Sequence, residues 1–310
     1  MLITFGATAL QLSPPAGDRL ETAGRFDAHA TGPESDAAVA ARRTGVETTH
    51  ATVLPDSPLG RRVANELRSH DLDVRVTWGE GRQGLSFYEH GVGVREPGRL
   101  EDRTSSAFDS IEMGALPLDA VREADGVYFT GATPGYSTAA AEAAARFVRA
   151  ARDGGTLTAF GLEYRPEQWT PEDARETLSG FFPAVDVFVA RERDVETVLD
   201  RDGQPSQVAH ALAQEHGFET VVLVRDRTTV AWHDSTLYEF RVVEGDTVDP
   251  TGAVAACTGT FLARLLDGGD TETALRYGTA AHALARTVEG PLATFTRAEL
   301  DRAAEAIDGR

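Results

Sequence analysis

Late in the chain, Asp249-Pro250-Thr251-Gly252-Ala253-Val254-Ala255-Ala256 opens what reads as a helix reaching Leu266. A glycine-led helix start presents unpaired N–H groups and the positive end of the helix dipole, which together suit a phosphate-like anion. An acid on the first turn would accept a hydroxyl proton while the helix stabilises developing charge. The run holds one carboxylate, Asp249. It has two readings: a base or cation contact, or the residue that caps the helix start, which is the commoner role of Asp before a helix. Gly252 and Ala253 fit an anion site, and equally a plain helix start.

Other chemistries are excluded. The sequence contains no lysine, so all 30 basic residues are Arg, and Schiff-base and P-loop lysine mechanisms are out of reach. Cys257 is the single cysteine, which removes internal disulfides and cysteine-rich zinc sites, suits a reducing compartment and reads as a small core residue. His29, His50, His70, His90, His210, His216, His233 and His282 show no metal-ligand spacing and read as surface or lid residues; no metal site is assigned.

The elements that must position these residues follow from pattern. The 310 residues carry 41% hydrophobic positions and a formal charge of −19, enough for a large core under a strongly acidic surface. Acidic residues spread over every segment predict a salt-adapted protein, and the missing basic stripe argues against nucleic acid. Met1-Leu2-Ile3-Thr4-Phe5 lacks signal-peptide character and no apolar run is long enough to span a bilayer, so a cytoplasmic, membrane-free protein is expected.

Short apolar runs at Leu2–Phe5, Thr49–Leu54, Gly126–Thr130, Leu157–Phe160, Asp186–Ala190 and Thr220–Val224 alternate with helical patterns, the signature of βαβ units around a mostly parallel sheet. The end of the chain reads as helices near Gly252–Leu266, Thr271–Thr287 and Arg297–Ile307. Residues 10–30 and 75–108 alternate apolar and polar positions among glycines and read as an antiparallel β lid over one α/β domain spanning 1–310. Its open edges predict a homodimer paired through the lid. Trp78, Phe87 and Tyr88 read as a packed face or dimer seam, with ligand contact as the other reading.

Three segments stand together: Phe5-Gly6-Ala7-Thr8 through Gly32-Pro33-Glu34-Ser35-Asp36; Gly60–Leu67 with Asp102-Arg103-Thr104-Ser105-Ser106-Ala107; and the run from Asp249. In this order they resemble the ribokinase-like (PfkB) carbohydrate kinases, and most closely the 2-keto-3-deoxygluconate kinases. The resemblance covers nearly the whole chain. It implies a three-layer α/β/α core with a β lid, ATP and Mg²⁺ beside the late helix, and a sugar acid between core and lid. Arg103 and Arg165 match the arginines that hold the acid, a job a planar guanidinium does bidentately; the other reading is a surface ion pair.

The departures lie mainly on the phosphate side. Where the family carries Asp-Thr-x-Gly-Ala-Gly-Asp with the last Asp as base, this chain has Val254 and Ala255; Ala255 cannot take a proton, and Val254 narrows the anion hole. Glu163 stands in the motif after the central strand. Arg191-Glu192-Arg193-Asp194 replaces Asn-x-x-Glu near the magnesium, and Asp226-Arg227-Thr228-Thr229, just after Arg225, replaces a glycine turn. On the sugar side Thr31-Gly32 stands for a glycine pair, Asp36 for an asparagine, and Ser86 and Glu101 for the flap tyrosines. The reading is a kinase homologue that is catalytically impaired or inactive yet binds sugar acid or nucleotide; the alternatives are an active sugar-acid kinase using Asp249 or Asp246 as substitute base, and a scaffold without ligand.

Overall fold

The computed structural model describes residues 1–112, 114, 116–225, 227–243 and 245–307. Strands β1 (Leu2–Phe5), β4 (Thr48–Pro55), β5 (Asp73–Gly79), β8 (Gly126–Thr130), β9 (Leu157–Gly161), β10 (Val187–Arg191) and β11 (Thr220–Val224) lie parallel, and β12 (Thr228–His233) and β13 (Thr236–Arg241) add an antiparallel edge. The nine-stranded order is β13-β12-β11-β10-β9-β8-β1-β4-β5. Central strands such as β8 and β11 are buried at every position, as strands covered on both faces must be.

Helices fill both faces. On one, α3 (Leu118–Glu123), α4 (Thr138–Gly154), α5 (Pro171–Ser179), α6 (Glu192–Leu199) and α7 (Pro205–His216) enclose an aromatic core in which Phe188 stacks on Phe218 at 4.7 Å. On the other, α1 (Pro33–Arg43), α8 (Ala253–Leu266), α9 (Thr271–Ala285) and α10 (Arg297–Glu305) pack through alanines, so backbones approach closely; a Cβ on Gly259 of α8 would stand 2.0 Å from the Ala37 carbonyl oxygen of α1. Helix α2 (Pro58–Arg68) covers β4 and β5 with Val63 and Leu67. This is the expected α/β/α class.

The second sheet joins β2 (Ala9–Ser13), β3 (Asp27–Thr31), β6 (Leu85–Glu89) and β7 (Gly98–Asp102) in the order β3-β2-β6-β7. Its two hairpins are antiparallel and its central pair, β2 with β6, is parallel. Both central strands continue outward from parallel core strands, β1 and β5, and so leave the core in one direction. One boundary moves: residues 75–79, read from sequence as lid, are the end of β5 and pair with β4 in the large sheet. An edge strand half open to solvent alternates in burial just as a flap does.

The β12–β13 hairpin, not anticipated from sequence, turns at Asp234-Ser235, both at positive φ (45° and 62°), the backbone that a tight hairpin requires. Two histidines read as surface residues are core residues. His50 is fully buried on β4, its ring nitrogens bonded to the hydroxyls of Thr4 (2.7 Å) and Thr8 (3.0 Å), and burial pushes its pKa down to about 3. His282 is buried in α9. Threonine hydroxyls satisfy both ring nitrogens of His50.

Candidate active site

Parallel strands end on one edge of the sheet, and the residues that follow those ends converge there. Asp249 lies buried just before α8. Its Oδ1 accepts the Thr251 N–H (2.9 Å) and hydroxyl (2.8 Å), and its Oδ2 accepts the Gly290 N–H (3.0 Å). The carboxylate therefore staples the turn before α8 to the 290 loop; it is not the helix cap read from sequence, since Gly252 holds the N-cap position and no side chain caps α8. Asp246 is exposed in the preceding segment.

Gly252 takes φ +73°, and a Cβ there would stand 1.9 Å from the Pro291 carbonyl oxygen, so only glycine fits. Beyond it come Ala253, Val254 and Ala255. The Val254 and Ala255 N–H groups make no hydrogen bond among the described residues, as expected for a helix's first turn. Ala255, on the first turn of α8, is buried at 8% exposure and brings only a methyl group there.

Around the ends of β9 and β10, charge is paired with charge. Glu163, at φ +37°, accepts two bonds from the Arg191 guanidinium (2.6 and 2.8 Å) and one from Arg165 (3.0 Å). Burial pushes the Glu163 carboxyl up, but Arg191 and Arg165 outweigh it and bring it down to about 2. Asp194 sits buried beside them, raised by burial, with Oδ2 unbonded. Arg225 pairs with Glu192 at 2.7 Å; Asp226 lies outside the described residues. These side chains do not suit a magnesium ion: Glu163 is committed to two guanidiniums and Asp249 to backbone and hydroxyl donors, and no group of three His, Cys, Asp or Glu converges as a metal site among the described residues.

The sugar-side positions gather under the small sheet. Gly32 precedes α1, and a Cβ on it would meet the Ala7 carbonyl oxygen at 2.3 Å. Asp36 on α1 accepts the Gly32 N–H (3.1 Å) and the Thr31 and Ser35 hydroxyls (3.1 and 3.3 Å), yet burial pushes it up to about 8. Across the gap, the Ser86 hydroxyl donates to Glu101 (3.2 Å), and Glu101 pairs with Arg103, which also donates to the Tyr136 hydroxyl. Burial opposes the Glu101 charge, but Arg103 and Arg99 hold its carboxyl below the usual range. Arg99 lies near enough to Asp36 and Glu163, and Asp249 to Tyr88, for their charges to act on one another, so charged groups of the small sheet and of the core stand close together.

Sequence reasoning missed three residues here. Glu34 is buried and accepts the Thr130 N–H (3.0 Å) and the hydroxyls of Thr130 (2.6 Å) and Thr133 (2.7 Å), tying α1 to the loop after β8; burial raises its pKa. Tyr136 lies in a loop that carries no periodic signal. Arg99 was legible: Arg99, Glu101 and Arg103 fall at every second position, hence on one face of an extended segment. Of the aromatics, Tyr88 is buried beneath Arg99, whereas Trp78 is exposed on the edge strand β5.

A sheet clothed by helices on both faces, with a second small sheet beside its C-terminal strand ends and charged groups between the two, defines a ribokinase-like protein. The chain belongs to the pfkB family of carbohydrate kinases, whose pattern matches residues 1–297. It is 44% identical to the 2-dehydro-3-deoxygalactonokinase of Haloferax volcanii over 97% of this chain and 95% of that one. Its fold superposes on the 2-dehydro-3-deoxygluconokinase of Thermotoga maritima with a TM-score of 0.91 at 25% identity, covering 98% and 99% of the two chains. An E. coli protein described as a Ribokinase II, solved in complex with ATP and Mg²⁺, matches with a TM-score of 0.88 at 18% identity over 98% and 99%.

Proposed function

We propose that this chain binds a 2-dehydro-3-deoxy sugar acid between core and small sheet and that its phosphotransfer is strongly impaired or lost. The observation that carries the reading is Ala255, a buried methyl group on the first turn of α8 where the family places its base. No neighbour replaces it readily: Asp249 already accepts from Thr251 and Gly290. On the nucleotide side, the Glu163–Arg191 pair stands where the family keeps polar groups for phosphate and metal, which supports loss of ATP·Mg²⁺ chemistry while the α8 start can still receive an anion.

A live kinase is the second reading, favoured by the 44% identity to a sugar-acid kinase over nearly all of both chains. In either case we read one domain with the small sheet as its lid, in the cytoplasm, salt-adapted, and paired as a homodimer through outward apolar residues of that sheet such as Leu100, 55% exposed. Among the described residues no helix is long and apolar enough to cross a membrane. The deciding experiment is calorimetry with 2-dehydro-3-deoxygalactonate and with ATP·Mg²⁺, followed by a phosphotransfer assay. Acid binding with turnover at least about 10²-fold below an active family member supports the proposal, since a general base contributes roughly 10²–10⁴. Full turnover would establish the second reading.

A further inference from the structure

Between the small sheet and the core stands a cation that its neighbours answer only weakly. Arg99 on β7 pairs in register with Tyr88, and its guanidinium carbon lies 5.4 Å from the Tyr88 ring centre. The other arginines of the cleft have firm partners: Arg103 meets Glu101 and Tyr136, while Arg165 and Arg191 meet Glu163. Arg99 has one hydrogen bond, from Nη1 to Glu101 Oε1 at 3.4 Å, and that oxygen also accepts the Ser86 hydroxyl. Its Nε and Nη2 make none among the described residues. A contact of that length is at the limit of a hydrogen bond, and its side chain is only 27% exposed.

Removing a guanidinium from water without a close counter-charge is unfavourable. Burial and the like charges of Arg165 and Arg103 pull the Arg99 pKa down. Asp36, across the cleft, does not answer it, because burial keeps that carboxyl mostly protonated near neutral pH, with a value of about 8.

We propose that Arg99, rather than Arg103, receives the carboxylate of the sugar-acid ligand and sets the preference of this cleft for acids over neutral sugars. The assignment rests on the sugar-acid reading above. A carboxylate would lie along the free Nε–Nη2 edge in the paired geometry that guanidinium and carboxylate favour, with the Tyr88 ring beneath it. Arg103, already bonded to Glu101 and Tyr136, then shapes the cleft rather than reading the charge.

The test is calorimetry of the full chain with 2-dehydro-3-deoxygalactonate and with its methyl ester, which keeps the shape and removes the charge. In Arg99→Met, acid affinity is expected to fall about 10–100-fold, the worth of one charge-assisted pair, while ester affinity changes less than about threefold. Arg103→Met is expected to weaken acid and ester alike. A wild-type protein that binds the acid, with an acid-selective loss in Arg103→Met or Arg165→Met and none in Arg99→Met, overturns the Arg99 assignment alone. A wild-type protein that binds neither compound overturns the sugar-acid reading and this assignment with it. If Arg99→Met does not melt cooperatively, Arg99→Lys decides: it keeps the charge but not the fork, so acid preference should fall partway, and unchanged acid affinity overturns the proposal.

Discussion

Glu163 and Arg191 hold each other through two hydrogen bonds, of 2.6 and 2.8 Å, at the ends of the adjacent strands β9 and β10. Pairs this deeply buried contribute little net stability compared with an apolar replacement, but removing one partner strands the other. They also fix the local conformation. Glu163 holds a left-handed backbone, φ +37°, that a non-glycine residue adopts only when its surroundings enforce it.

Glu163→Gln should therefore destabilise the fold by about 3–5 kcal/mol, because Arg191 and Arg165 would be left without their counter-charge. Urea unfolding monitored by circular dichroism measures it. The pH dependence has a definite sign. The folded carboxyl titrates at about 2 against an ordinary 4.5, so its contribution is present above pH 4.5 and is lost as pH falls toward 2. In Glu163→Gln that acid-side loss should shrink; an unchanged acid limb would contradict the pairing.

Asp36 predicts the opposite slope. Its folded value of about 8 lies above an ordinary 3.8, so the unfolded chain releases its proton first and stability declines as pH rises between those values. Asp36→Asn removes that decline. Melting temperatures of wild type and variant should diverge steadily from pH 4 to 8, with the variant the more stable at the upper end. Parallel curves would show that Asp36 is ionised in the fold.

Val254→Gly together with Ala255→Asp should open the α8 start and place a carboxylate on its first turn. If the missing base is what limits turnover, ATP-dependent phosphorylation of 2-dehydro-3-deoxygalactonate, followed by coupled ADP release, should rise about 10²–10⁴-fold. No gain would locate the defect on the nucleotide side, at the Glu163–Arg191 pair.

Gly252→Ala should be severe for so small a change. The added methyl would stand 1.9 Å from the Pro291 carbonyl oxygen at φ +73°, so strain of about 1–3 kcal/mol adds to a steric clash with backbone. Because Asp249 joins the same turn to Gly290, the 290 loop must shift too. Hydrogen exchange should rise at Gly290 as the melting temperature falls; a variant as stable as the wild type would mean that this turn relaxes freely.

The layered α/β/α core was legible because its signals are local. Buried strands such as Thr220–Val224 are short unbroken apolar runs, and helices such as Thr138–Gly154 carry their apolar stripe within a few turns. Failures came where two structures share one pattern. The edge strand β5 alternates like a flap, and His50, polar by type, is buried because Thr4 and Thr8 supply its hydrogen bonds from other segments.

At the site, the sequence alone determined which residue types are present: a glycine-led helix start, an alanine at position 255, arginine as the only strong cation, and no lysine. Composition and short-range order suffice for that. The tertiary structure decided which charges meet. Glu163 finds Arg191 across 28 positions, Arg103 finds Tyr136 across 33, and Glu34 finds Thr130 across 96. Such pairings depend on how strands and loops converge at one edge of the sheet, and that convergence is set by packing of the whole chain, which no local period encodes.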